Sequence, residues 1–217
     1  MAERRGRAGL RAWWLALPLA LAAVVEACGT SGYTYVKNST THTYFKIPSS
    51  WKLFHQDEIL DSQPGLSPQQ RDRSRKAQWL VAFDAAHQPS LTHVLEQSSK
   101  QPVGFAQVRA LTADEHQNYS LAALRNEVIP LDQLSQTPDA VDPISEKELV
   151  QGGLRGSRLV NNVRGTDGSF VTFDQTALLD KRTRLIYLLV VTCDADCYVK
   201  NQKTINSVVD SWTVKER

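Results

Sequence analysis

The sequence has no surplus of positive charge with which to grip a polyanion. Its 217 residues carry 25 Lys and Arg against 23 Asp and Glu. The small excess sits at the amino terminus, where Arg4, Arg5, Arg7 and Arg11 face only Glu3 and Glu26. Residues 28–217 then hold 21 charges of each sign. A broad basic face for nucleic acid is not expected. Long apolar runs are also missing. Trp13 to Val25 is an uncharged run of 13 residues; as a helix it would span about 20 Å, short of the roughly 30 Å of bilayer hydrocarbon. Catalytic signatures are missing as well. There is no Gly-x-Ser-x-Gly elbow, no HExxH, no phosphate loop and no dinucleotide fingerprint, so no catalytic residue, metal or cofactor is assigned.

What is present begins with an export signal. A basic segment to Arg11, the short apolar run with Pro18 inside it, and small residues after it fit a signal peptide. The run has no polar face to favour a buried amphipathic helix instead. Val25-Glu26-Ala27-Cys28 resembles a lipobox, in which the cysteine is lipidated and becomes the mature amino terminus. Cysteine is scarce: Cys28, Cys193 and Cys197 are the whole set. The last two form a close pair, so Cys28 is the odd one in an exported chain, and lipidation accounts for it. The expected organisation is a signal peptide over 1–27, a lipidated Cys and short tether over 28–32, and one domain over 33–217. Four spacer residues, Gly29 to Gly32, span about 11 Å.

The domain reads as α+β. Tyr33–Lys37, Thr43–Ile47, Trp79–Phe83 and Pro102–Leu111 look extended. Ser67-Pro-Gln-Gln70 and Thr112-Ala-Asp-Glu115 are helix starts, each with a capping residue and Gln or Glu three places later. The second is expected to open one helix carrying Leu121, Leu124, Val128 and Leu131. Pro130 to Pro143 reads as a long loop. Leu154–Arg164, Ser169–Leu179 and Arg184–Thr192 read as a three-strand antiparallel meander joined by turn sequences. Leu185–Val191 is apolar without a break, which predicts a central strand covered on both faces. Ile205, Val208, Val209 and Trp212 have the spacing of a helix stripe laid on the sheet. The expectation is an antiparallel sheet with helices packed against it.

Cys193 and Cys197 would lie about 13 Å apart in a straight strand, too far for a disulfide. The chain must turn at Asp194-Ala-Asp196 for them to pair. Export favours oxidation to a structural disulfide; a redox or metal pair is the alternative reading. Arg71, Arg73, Arg75 and Lys76 form a basic cluster. A solvated helix face explains it, and the sharper reading is contact with anionic headgroups or an acidic wall polymer. His42, His55, His87, His93 and His116 are scattered. His93 and Glu96 could share a helix face, yet no ligand cluster adjoins them.

Three motifs in order carry a resemblance: Ile47-Pro-Ser-Ser-Trp51 after an extended segment, Gly152-Gly-Leu-Arg-Gly156 opening the meander, and Cys193-Asp-Ala-Asp-Cys197-Tyr198 leading into a helix that ends Asp210-Ser-Trp212. This order resembles the PsbP-like fold, which includes the extrinsic photosystem II subunit and LpqN-type actinobacterial lipoproteins; the lipobox makes the likeness to the latter stronger. The resemblance implies an accessory or binding role without known catalysis. The expected function is therefore that of a bacterial envelope protein, lipid-anchored on the extracytoplasmic face of the membrane. It would bind a hydrophobic ligand, a lipid or an envelope protein, with affinity drawn mainly from apolar burial. The alternative is an envelope hydrolase with a site assembled from distant residues. Cells grown with labelled palmitate should label the protein, and Cys28→Ser should lose that label; full retention on the variant would refute lipidation at Cys28.

Overall fold

The computed structural model describes residues 32–96 and 99–215, so Cys28 and the leader lie outside the described residues. The strands are β1 (Tyr33–Asn38), β2 (Thr43–Pro48), β3 (Lys52–His55), β4 (Gln78–Asp84), β5 (Val103–Ala110), β6 (Val141–Gln151), β7 (Leu154–Arg164), β8 (Phe170–Leu179), β9 (Leu185–Asp194) and β10 (Thr213–Val214). The helices are α1 (Gln56–Asp61), α2 (Pro68–Ala77), α3 (Leu91–Glu96), α4 (Ala113–Asn118), α5 (Leu121–Arg125), α6 (Leu131–Leu134) and α7 (Ala195–Asp210). Seven strands form one antiparallel sheet in the order β3-β4-β5-β9-β8-β7-β6, and a second sheet runs β1-β2-β10.

The apolar run in β9 lies in the middle of the large sheet, as its composition requires. Side chains alternate across the sheet plane. Tyr187, Leu189, Val191 and Cys193 join a core with Val36, Phe45 and Ile47 of the small sheet and Ile205, Val208 and Val209 of α7. Ile186, Leu188 and Val190 enter the clusters on the other face, with Leu124 of α5 and Ile129. Both faces of β9 are thus covered. The spacing of Ile205, Val208 and Val209 lays α7 on the sheet as expected. The helix ends at Asp210, however, and Trp212 reaches the same core from the segment after it.

Both capping boxes form. Ser67 Oγ accepts the Gln70 N–H at 3.2 Å, and Thr112 Oγ1 accepts that of Glu115 at 3.3 Å. The single long helix expected after Thr112 does not form. Tyr119 is extended (φ −72°, ψ 126°), and Ser120 starts a new helix by accepting the Ala123 N–H at 3.0 Å. A serine with a free N–H three residues on competes locally with helix continuation. Leu131 falls on α6, a separate helix of four residues.

The loop expected from Pro130 to Pro143 contains α6 and the first residues of β6. The meander consequently has four strands, and β6 went unread because it lacks alternation. It is an edge strand exposed on both faces over most of its length, with Glu146, Lys147 and Glu148 in its middle and a register shift beside Pro143. Charge, proline and irregularity are what keep a free edge from pairing with another chain. Between β6 and β7 the turn is only Gly152-Gly153, both at positive φ (57° and 89°). A two-residue hairpin with both positions left-handed calls for residues without a Cβ.

Cys193 closes β9 and Cys197 lies in the first turn of α7. They are joined by a disulfide with Cα atoms 5.9 Å apart, at the strand-to-helix corner the spacing demanded. Under α7 lies a buried ion pair. Arg158 of β7 donates two hydrogen bonds to fully buried Asp174 of β8, at 2.8 and 2.6 Å, and a third to Asn206 of α7 at 2.6 Å. Tyr198 of α7 donates to the same carboxylate at 2.8 Å. Burial, followed by the charge of Asp174, pushes the Tyr198 phenol well above its usual range. This carboxylate therefore ties two strands to the helix. Removing its cation leaves an uncompensated buried charge, which costs about 3–5 kcal/mol. Arg158→Met should lower the unfolding free energy by that order in denaturant titrations. The double variant with Asp174→Asn should recover part of the loss, and no recovery would argue against a paired charge at the site.

Candidate functional site

A cleft of about 820 Å³ lies at one end of the large sheet. Three chain segments wall it. One is the turn between β1 and β2, where Asn38 Oδ1 accepts the N–H groups of Thr40 (2.9 Å) and Thr41 (3.0 Å). His42 follows at φ 53°, a left-handed conformation uncommon for a residue with a Cβ. The second wall is the start of α4, from Leu111 to His116. The third is the turn between β8 and β9. Asp180 Oδ1 accepts the N–H of Arg184 (2.5 Å) and of Leu185 (2.8 Å), and Thr183 sits at φ 54°. A β-branched residue in that region is a genuine outlier, and such strain clusters at sites of function.

Hydrogen bonds lock the walls together. His116 Nε2 donates to the Arg182 carbonyl at 2.9 Å, and the Leu111 N–H donates to the Arg184 carbonyl at 2.8 Å. The Lys215 N–H, just past β10, donates to the His42 carbonyl at 3.1 Å. The floor is apolar: Tyr187 is buried, and Leu111 and Leu185 are half-buried. The rim is cationic. Arg182, Arg184 and Lys215 are exposed there, and none is ion-paired with a carboxylate among the described residues.

The wall carrying α4 is braced from behind. Arg109 of β5 donates to Glu115 at 2.9 and 3.1 Å and to Glu127 at 2.6 and 3.0 Å. Tyr119 donates to the other Glu127 oxygen. Burial, then the hydrogen bond to Glu127, raises the Tyr119 phenol far above its ordinary range. Hydrogen bonds from Arg109, then from the Thr112 N–H, hold the Glu115 carboxyl down at about 2.

The sequence-derived candidates lie elsewhere. Arg71, Arg73, Arg75 and Lys76 are on α2, on another part of the surface. Arg75 is held by Asp57 (2.7 Å) and Asp72 (2.9 Å), and Arg71 lies 3.6 Å from Asp61. Arg73 turns to the Gln69 carbonyl. Acids of α1 thus compensate half of that cluster. His93 and Glu96 both lie on α3, and the His93 Nδ1 meets buried Asp84 at 2.7 Å. The same carboxylate accepts the N–H groups of Ala86 and Ser90 and so pins the loop before α3. No hydroxyl or thiol is hydrogen-bonded to His93 among the described residues, and none of their His, Cys, Asp and Glu side chains gather in threes around a metal position.

Sequence reasoning did not find the cleft residues. Lys181-Arg-Thr-Arg184 carries as much net positive charge as the α2 cluster, but its local pattern is that of a turn. Lys215 and His42 are brought to it by the small sheet, which local pattern does not reveal. A second cavity of about 280 Å³ lies between α1, α3 and the outer face of β4 and β5, lined by Ile59, Leu80, Ala82, Leu91, Val94 and Phe105. Its chemistry is the apolar one the sequence led us to expect. Ligand pockets usually run about 300–1,000 Å³, so this one is at the lower limit and the polar cleft is the better candidate.

Glu115 supplies a pH test of the brace. Its carboxyl is lower folded than its ordinary value of 4.5. A depressed folded value contributes stability above pH 4.5 that disappears as pH falls toward 2. Glu115→Gln should flatten that part of the stability–pH curve while leaving the neutral-to-alkaline part parallel to wild type. An unchanged acid limb would mean that the Arg109–Glu115 pair contributes nothing.

Neither a family model nor a curated protein matches the sequence. Among solved structures the chain is similar to cyanobacterial PsbP (CyanoP) of Synechocystis sp. PCC 6803, with a TM-score of 0.51 at 11% identity, covering 87% of this chain and 95% of that one. It is also similar to LpqN of Mycobacterium tuberculosis, a protein involved in cell envelope biogenesis, with a TM-score of 0.49 at 14% identity, covering 85% and 91%. At such identities the likeness concerns fold, and the fold is PsbP-like: an α+β domain of antiparallel sheets with helices packed on them.

Proposed function

We propose that this is an extracytoplasmic protein, anchored through lipid on Cys28, whose domain binds a ligand in the cleft at the end of the sheet and does not turn it over. One observation carries the reading. The cleft sets exposed cations above an apolar floor. Its His116 donates Nε2–H to the Arg182 carbonyl, and neither that ring nor Asp180 is hydrogen-bonded to a hydroxyl or thiol among the described residues. An imidazole and a carboxylate with no nucleophile bound to them favour recognition over turnover.

The anchor rests on the leader and the Ala27-Cys28 junction. No helix among the described residues is long and apolar enough to cross a membrane. The tether would enter at Gly32, whose carbonyl accepts the Ser49 N–H beside the start of β1. The cleft begins at the far end of that six-residue strand, about 20 Å away at 3.3 Å per residue. Anchored in this way, the domain opens its cleft away from the attachment point, toward soluble or wall-side ligands. Residues of α2 remain candidates for headgroup contact through Arg73 and Lys76.

A second reading, an envelope hydrolase, has one observation in its favour: Asp84 and His93 form an acid–imidazole pair. Assay of the full chain on ester, peptide and glycoside substrates separates the two. We expect no turnover, and ligands from an envelope extract should perturb residues 40–42, 110–116 and 180–187 in a footprint or amide-shift experiment. Turnover abolished by His93→Ala or His116→Ala, with folding intact, would replace the binding reading by the hydrolase.

A further inference from the structure

We infer that the cleft takes a phosphate-bearing ligand, with the phosphate among Arg182, Arg184 and Lys215 and the rest of the molecule on Leu111, Leu185 and Tyr187. The inference rests on the binding reading above and names its ligand class.

Charge is the first ground. Most other arginines of the domain are already neutralised: Arg71, Arg75, Arg109, Arg125 and Arg158 each meet a carboxylate. At the cleft two arginines and a lysine line one cavity without such a partner among the described residues. Asp180 is the acid in the same lining, and its Oδ1 faces the N–H groups of Arg184 and Leu185 in its own turn. Among the described residues the rim therefore keeps a net positive field, although residues 28–217 balance as a whole. Cations lining a concave surface focus that field on whatever enters.

Oxyanion geometry is the second ground. A phosphate monoester carries up to two negative charges and three terminal oxygens at neutral pH. Two planar guanidiniums and an ammonium can each meet an oxygen, and guanidinium forks match phosphate in a bidentate way. A monocarboxylate has two oxygens and one charge, and would leave part of this rim unmatched.

Size is the third. A lone phosphate would fill little of about 820 Å³, and the floor below the rim is aromatic and aliphatic. The ligand thus carries a body that rests on Tyr187 and its neighbours. The phosphate could come from a soluble ester or from a lipid headgroup. The position of the cleft, at the end of β1 opposite the tether, favours the soluble one.

Phenyl phosphate combines the two parts and serves as the probe. The full chain in neutral detergent would be titrated with it by calorimetry, with phenol as the neutral analogue and inorganic phosphate as competitor. Binding is expected for phenyl phosphate, displaced by inorganic phosphate and not by phenol. Charge-assisted hydrogen bonds to phosphate are the stronger kind, so Arg182→Gln and Arg184→Gln should each weaken binding about tenfold or more. Lys215→Gln should add to that. Raising salt from about 0.05 to 0.5 M shortens the screening length severalfold and should weaken binding about tenfold. These side chains are exposed, and unchanged circular dichroism and Tm would confirm that the variants fold. Arg155→Gln, an exposed arginine outside the cleft, should bind as wild type does.

No binding of phenyl phosphate at millimolar concentration would overturn the inference. So would a triple variant that binds like wild type, or equal weakening by Arg155→Gln. Tight binding of phenol in the cleft would overturn the ligand class while leaving the binding reading intact. Turnover dependent on His93 or His116 would instead sink the binding reading itself. In vesicles of phosphatidylcholine, probe binding retained after phosphatidylglycerol is added supports a soluble phosphate ester. Probe binding lost on that addition overturns the soluble assignment in favour of a headgroup.

Discussion

The structure depends on burying one strand from both sides. β9 has seven consecutive apolar residues, Leu185 to Val191, and alternation sends roughly half to each face of the sheet. Water must therefore be excluded on both faces. At about 25 cal/mol for each Å² of apolar surface buried, leaving either face open would cost several kcal/mol. One cover is built from α7 and the small sheet together, and the other from the short helices between β3 and β6. The order β3-β4-β5-β9-β8-β7-β6 follows, because the central place has to go to the strand with no polar face.

That demand places the polar elements. Asp174 sits on β8, beside β9 and beneath α7, and is fully buried. Three hydrogen bonds reach it, two from Arg158 of β7 and one from Tyr198 of α7, and Arg158 also donates to Asn206 of α7, so the helix docks in one register as well as on one face. The disulfide at Cys193–Cys197 sets the angle at which the chain leaves β9 for α7. Apolar burial draws α7 to the sheet, and these directional contacts select its position.

The cleft is a by-product of how the covers end. The small sheet, α4 and the β8–β9 turn meet at one end of the large sheet without closing over Leu111 and Leu185, with buried Tyr187 beneath them. Backbone hydrogen bonds hold the edges, and left-handed His42 and Thr183 mark where the chain bends around the opening. Cations on a solvated rim cost little when the cleft is empty, since water satisfies them. The same cations are worth more against an anion in a concave, partly dry site.

Local chemistry along the chain determined the elements that answer to it. The apolar run of β9 declared a doubly covered strand, because no other setting hides seven such residues. Ser67 and Thr112 declared helix starts, since a side-chain oxygen three residues before a free N–H has a partner at once. Asp194 to Asp196 had to turn if the two cysteines were to meet. Where the controlling interaction is distant, the chain is mute. β6 shows no alternation because neither of its faces is buried, so only its pairing with β7 makes it a strand. Ser120 breaks the helix after Thr112 at a point where the apolar spacing ran on undisturbed. Arg182, Arg184 and Lys215 are surface charges one by one. They become a site only because β2 pairs with β10, which brings Lys215 to the His42 carbonyl, and because the β8–β9 turn folds against α4. Tertiary structure decided that convergence, since a field focused by several charges depends on their separation in space and not on their spacing along the chain.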